Sequence, residues 1–431
     1  MSKPQPELSL FSAVIINLNI IIGSGVFINT AELAKRAGVF GGLCYAIVGL
    51  LLFPLILSFA RLLQLYPGGG FYAFCEKSLS PFVGFISTWC YFTTKLSSAT
   101  LIIHIFVSLM QKMFPVLAFC NIFFLDVIVL LTITALNMLN VKTGSKIQGW
   151  LMIFKLFPLL FVILSGMFLM QGSNLSSIHQ LWLGIPAAIP LVLHAMLGFE
   201  TACSISRNIK NPAVNGPRAV LISYSVVIAL YVLYQTLFYA ILGSELALQP
   251  DYRTTFPLLL SHYALSEYTQ YIICSLIYLF IALSALSAGF GIIYANMWNL
   301  FGLAELRHTI APRFITQLNK YNIPFVCVLT QAIISLILMI IINGEQTTFQ
   351  QLSALGATIT YTISIVGLAV TLKKQGRSLI LPLFGLVNCA LLLCASSYAM
   401  WWGQNSKPLC ILSSFLVVGA VMYLCSKRQK F

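Results

Sequence analysis

Charge is scarce in this 431-residue chain: 8% of its residues are Asp, Glu, Lys or Arg, and only 10 are acidic. An ordinary soluble domain carries about 25%, so a soluble globular protein is excluded. Its 11 cysteines include no Cys-x-x-Cys pair and no neighbouring histidine at metal-ligand spacing. They read as small buried apolar residues, and no metal or cofactor is expected. No Gly-Lys-Ser/Thr follows Pro67-Gly68-Gly69-Gly70 and no strand precedes it, so these glycines make a tight turn instead of a phosphate cradle. A membrane-embedded enzyme needs converging catalytic groups, and only isolated histidines and acids occur. A channel filter or a ring of like charges is also missing.

What the chain does have is apolar length, 59% of the sequence. Twelve apolar stretches lie between charged or Pro/Gly-rich breaks, beginning near Leu10, Phe40, Phe82, Ile122, Trp150, Ile185, Arg218, Tyr271, Pro324, Phe349, Leu379 and Leu409. At about 20 residues each they leave only short loops. The expected fold is therefore all-α and integral to the membrane, a single domain over residues 1–431. The first stretch, Leu10 to Ala31, is long enough to span and lacks a small-residue cleavage site, so it is expected to remain in the mature protein. The net charge of +14 is an orientation signal. With both termini in the cytoplasm, inner loops and tails hold most basic residues, including Lys3, Arg61, Lys142, Lys146, Arg207, Arg377, Lys427, Arg428 and Lys430. Outer loops hold only Lys35, Arg36, Lys112, Arg253 and Lys407. That pattern disfavours nucleic acid as a partner, and the short tails suggest a bacterial cytoplasmic membrane. Asn174-Leu175-Ser176 reads as a chance glycosylation sequon.

Two spans carry glycine where a helix has most to lose from it. The first reads Ile21-Ile22-Gly23-Ser24-Gly25-Val26-Phe27, and the sixth His194-Ala195-Met196-Leu197-Gly198-Phe199-Glu200. Each midspan glycine costs about 1 kcal/mol relative to alanine. Spans one and six are equivalent members of two five-span halves, and paired interruptions of this kind point to a midplane binding site. Breaks at Gly23, Gly25 and Gly198 free N–H groups on one half-helix and carbonyls on the other. The Ser24 hydroxyl and Gly25 N–H then face a carboxylate, and the Ile21 and Leu197 carbonyls an ammonium. Together they suit the backbone of an amino acid. Close helix packing by small residues is the alternative use of the same glycines.

The runs Ile21 to Phe27, Tyr66 to Phe74, Gly198 to Glu200 and Lys210 to Pro212 resemble the amino acid, polyamine and organocation transporter superfamily, over nearly the whole chain. The likeness is to the bacterial amino acid permeases and the arginine/agmatine exchanger branch. It implies the leucine-transporter fold: a 5+5 inverted repeat with helices 1 and 6 broken. The first half runs over about 10–200 including the start of helix 6, the second over 185–372, and two peripheral helices occupy 379–425. By this resemblance Ile21, Ser24 and Gly25 hold the substrate, His194 and Leu197 line the pocket, and Phe290 supplies an aromatic from span eight.

Ionisable groups inside spans are few. Lys155, about two turns into span five, resembles a lysine of proton-coupled members whose ammonium replaces sodium beside the broken first helix; snorkelling or a structural pair is its other reading. Glu200 suits a proton-linked gate or a hydrogen-bonding role toward free N–H groups. Lys95 and Asp126 fit a water-filled path or structural pairs, and His104 a satisfied interior site. The expectation is a secondary transporter of an amino acid or related amine, working by exchange or with protons. A transporter-like sensor, a partner-dependent subunit and a channel are the alternatives.

Overall fold

In the computed structural model, which describes residues 8–139, 141–176 and 181–428, every regular element is a helix, joined by one isolated bridge between Leu8 and Ile209. Hydrocarbon offers the backbone no hydrogen-bond partners, so each apolar segment must satisfy its own, and a helix does so. The ends are set by local chemistry. Ser9, Ser80 and Ser266 cap the first, third and eighth spans by accepting from Ser12, Val83 and Thr269 N–H groups.

Nine helices among the described residues are long and apolar enough to cross a membrane, and three shorter apolar ones, Ile122–Leu136, Phe154–Leu169 and Ile185–Met196, complete a set of twelve. The first span is split into Leu10–Ile21 and Gly25–Ile28, the latter running on through Thr30–Ala37. Spans two to five are Gly41–Leu65, Pro81–Met113, Ile122–Leu136 and Val141–Leu169. The sixth is split into Ile185–Met196 and Thr201–Ser204; the seventh to ninth are Pro212–Leu242, Glu267–Glu305 and Phe325–Ile342. Gln346–Lys374, Ile380–Trp402 and Lys407–Arg428 close the series.

The two largest differences from the hydropathy reading are at span starts. The fifth helix begins at Val141, not near Trp150, and the seventh at Pro212, not near Arg218. Hydropathy detects the apolar part of a helix, whereas the backbone continues into the polar flank. Lys155 consequently lies at the middle of its helix, deeper than two turns from its start. Lys3, Lys430 and the side chains of Lys142, Lys146 and Arg428 fall outside the described residues.

Packing follows a five-place rule. The third and eighth spans make the most extensive contact, followed by the second with the seventh. The first packs on the fifth and the sixth on the tenth; the third packs on the tenth and the eighth on the fifth. Each pair maps onto its counterpart when five is added to or taken from the span number. Because five is odd, the second half enters from the opposite face. The eleventh span leans on the second, sixth and tenth, and the twelfth on the third and tenth. The face that carries Leu8 is called the near face below, and the other the far face.

Candidate functional site

Both breaks are built by backbone geometry. The first helix stops at Ile21, where the Ile22 N–H still reaches Leu18 O, and the Gly23 N–H folds back onto Ile21 O at 2.8 Å. Ser24 then heads the resumed helix, its carbonyl accepting from the Ile28 N–H. From Gly25 onward the first-turn N–H groups have no carbonyl a turn behind them. In the sixth span the helix ends at Met196, Leu197 is extended at φ −67°, ψ 138°, and Gly198 takes φ +134°. That last conformation is open only to glycine.

The two breaks touch. A Cβ on Gly198 would lie 2.9 Å from the Ile21 nitrogen, and one on Gly25 would lie 2.9 Å from Ala195 Cα. Both glycines therefore serve close approach as well as interruption. Asn17 adds a polar tie, its side-chain amide donating to Phe199 O at 3.2 Å.

Charged and hydroxyl groups settle on the freed peptides. The Lys155 ammonium, fully buried, donates to Asn19 O and, at 2.7 Å, to Ile22 O. Tyr231 donates to Ile21 O at 2.9 Å, and Ser284 lies 3.4 Å from both Ile22 O and Gly23 O. The carbonyl end of the first break is thus occupied by one fixed cation and flanking hydroxyls. At the sixth break the Glu200 carboxylate accepts the Gly198 N–H at 2.8 Å through one oxygen. Its other oxygen accepts from Tyr91 at 2.7 Å and from Lys95 at 3.0 Å. Both members of the Lys95–Glu200 pair are buried, and the ammonium also sits 5.7 Å above the Tyr91 ring.

Of the remaining sequence candidates, Ser24 is buried and its hydroxyl has no hydrogen-bond partner among the described residues. His194 is buried with Nδ1 unpartnered among the described residues, and Leu197 is buried beside it. Phe290 is buried and stacks on Tyr294 with the rings 12° from parallel. His104 and Asp126 pair with each other at 2.8 Å, away from the breaks. Among the described residues no group of three metal-ligating side chains occurs.

Sequence reasoning passed over Tyr91, Tyr231 and Ser284. Tyr91 and Lys95 are four residues apart on one helix, hence on the same face, and that spacing was the available signal. Nothing local marked Tyr231 or Ser284.

The sixth span is latched to its surroundings on both sides of the site. Toward the far face Asn29 donates to Leu191 O at 2.8 Å and accepts from Gln350 at 3.0 Å, joining spans one, six and ten. Toward the near face Asn299 donates to Ser204 at 3.1 Å, and Arg207 pairs with Glu305 at 2.9 Å, joining span six to span eight.

A family profile described as "Amino acid permease" matches residues 8–424. The chain is 24% identical over 450 residues to the aromatic amino acid transport protein AroP of Salmonella typhimurium (strain SL1344), covering 96% of this chain and 94% of that protein. It is also 24% identical over 349 residues to AroP of Escherichia coli (strain K12), covering 76% and 72% respectively.

Proposed function

We propose that this chain, which belongs to the amino acid permease family, takes a neutral zwitterionic amino acid as substrate and moves it by alternating access without sodium. The observation that carries this reading is the unpartnered Ser24 hydroxyl, buried at the point where the two broken spans meet. A buried hydroxyl without a partner costs free energy comparable to a lost hydrogen bond. A substrate carboxylate at Ser24 and the Gly25 N–H offsets that cost. The ammonium then faces Leu197 O and the second lone pair of Ile21 O, whose first is taken by Tyr231.

The side-chain preference follows from charge. Glu200, the acidic residue beside the site, is neutralised by Lys95, so no uncompensated carboxylate awaits a cationic side chain. Phe290 offers an aromatic wall, and the AroP relatives are named for aromatic amino acids. A bulky apolar side chain fits both facts. Lys155 already neutralises the carbonyls a sodium ion would seek, and a second cation there meets like-charge repulsion.

In this mechanism spans one, two, six and seven rock against the rest, breaking the Arg207–Glu305 latch on one side or the Gln350–Asn29 hydrogen bond on the other. The substrate drives the shift only through different affinities for the two arrangements. Basic residues of the near face, such as Arg61, Lys77 and Lys373, support a cytoplasmic position for that face in a bacterial inner membrane.

The test is counterflow in proteoliposomes loaded with an amino-acid mixture. Labelled neutral amino acids with apolar side chains enter, at rates equal with and without sodium; strict sodium dependence, or preference for arginine or lysine, overturns the reading. A pH gradient across empty vesicles separates proton cotransport, which then accumulates substrate, from exchange, which does not. Ser24→Ala raises KM about 10- to 100-fold, the loss of one hydrogen bond to a charged group. Its melting temperature stays within about 2 °C because no protein partner is lost. An unchanged KM removes Ser24 from the substrate's contacts.

A further inference from the structure

We propose that the near face carries a binding site for one anionic phospholipid, in the groove between the second span and the turn joining spans ten and eleven. A cavity of about 560 Å³ opens there, within the range of small-molecule sites. Phe53, Pro54 and Leu57 of span two and Phe384 of span eleven form its apolar wall, and Arg61 and Arg377 stand along it. Pro54 lies inside the second helix, where its missing N–H interrupts the hydrogen-bond ladder alongside the groove.

Depth and charge identify the occupant. Arg61 lies about one turn before the second helix ends at Leu65, and Arg377 lies between the end of span ten at Lys374 and the start of span eleven at Ile380. Both guanidinium groups therefore lie toward the end of the apolar region, where lipid phosphates sit. Neither makes an ion pair among the described residues. Arg61 donates to the Gln64 amide oxygen at 2.9 Å, whereas Arg207 on the same face is matched by Glu305. Two guanidinium groups without acidic partners, at the mouth of an apolar groove, match a phosphodiester whose acyl chain follows the wall. A free phosphate ion shares the head chemistry and has no use for Phe53, Leu57 or Phe384. A purely topological role for the arginines requires no groove.

The experiment uses the purified full-length protein in detergent, with native mass spectrometry of retained lipid after adding phosphatidylglycerol or phosphatidylethanolamine, and a competing arm with inorganic phosphate. One phosphatidylglycerol is retained in preference to phosphatidylethanolamine. Arg61→Gln and Arg377→Gln each weaken that retention roughly 5-fold, while Lys407→Gln on the far face leaves it unchanged. Leu57→Trp keeps both charges, fills the groove and also lowers retention, so the inference stays testable should the arginine variants fail to fold. Equal retention of the two lipids, unchanged retention in both the arginine and the Leu57 variants, or full displacement by millimolar phosphate overturns it. No arm reads transport, so its failure and that of the transport reading are separable.

Discussion

Lys155→Met abolishes most transport, with counterflow falling at least about 100-fold, which corresponds to roughly 2.7 kcal/mol. The cause is the carbonyl end of the first break. Without the ammonium, Asn19 O and Ile22 O each lose a charged donor, and a hydrogen bond to a charged group contributes about 1.5–3 kcal/mol. Removing a buried charge also recovers its desolvation penalty, so the loss of stability is smaller than two such terms. Under the proposed mechanism transport suffers more, because there the end of the half-helix stays neutralised through every step of the cycle. Sodium supplies the distinguishing measurement. In the variant the vacated carbonyls and the Ser284 hydroxyl make an oxygen-lined site of the kind hard cations use, and about 0.1 M sodium restores part of the lost rate. The native protein shows no such response. A Lys155→Met protein that melts and transports like the native one ends the role given to this lysine.

Glu200→Gln has the larger effect on stability. The amide keeps the size of the side chain and its oxygen can still accept the Gly198 N–H, yet Lys95 is left buried without a counter-charge. Breaking a buried pair from one side costs about 3–5 kcal/mol. The double variant Lys95→Met/Glu200→Gln removes the orphaned charge and is more stable than Glu200→Gln alone. A double-mutant cycle read by denaturant unfolding of the purified protein measures this coupling. Strict additivity, or a Glu200→Gln protein as stable as the native one, excludes the pair as the prop of the sixth break.

The comparison of these two lysines shows what a sequence exposes. Gly23, Ser24, Gly25 and Gly198 were conspicuous because small and polar residues in the middle of apolar runs conflict with local propensity. The twelve spans were equally plain, since lipid enforces length and apolarity segment by segment. Partners were a different matter. Lys95 and Glu200 lie 105 positions apart, and Lys155 and Asn19 136 apart. Each lysine could be recognised as anomalous, yet not matched to an acid or to a carbonyl, because that choice is made by helix packing. Tyr231 and Ser284 are ordinary residues within their own helices, and only the neighbouring break turns their hydroxyls into donors. The start of the fifth helix was misplaced for a related reason: the polar turn before Trp150 continues a helix that hydropathy sees only in part.

Gly25 against Ala195 and Gly198 against Ile21 bring main chain to main chain or close to it, and this has an evolutionary corollary. A wall made largely of peptide units offers natural selection little to vary, since nearly any replacement at these positions collides with the opposing strand of atoms. If the proposed site holds the substrate, changes of diet among descendants of such a protein would be written on the opposite wall, at positions such as Phe290, while the part that grips what all amino acids share would be inherited unaltered.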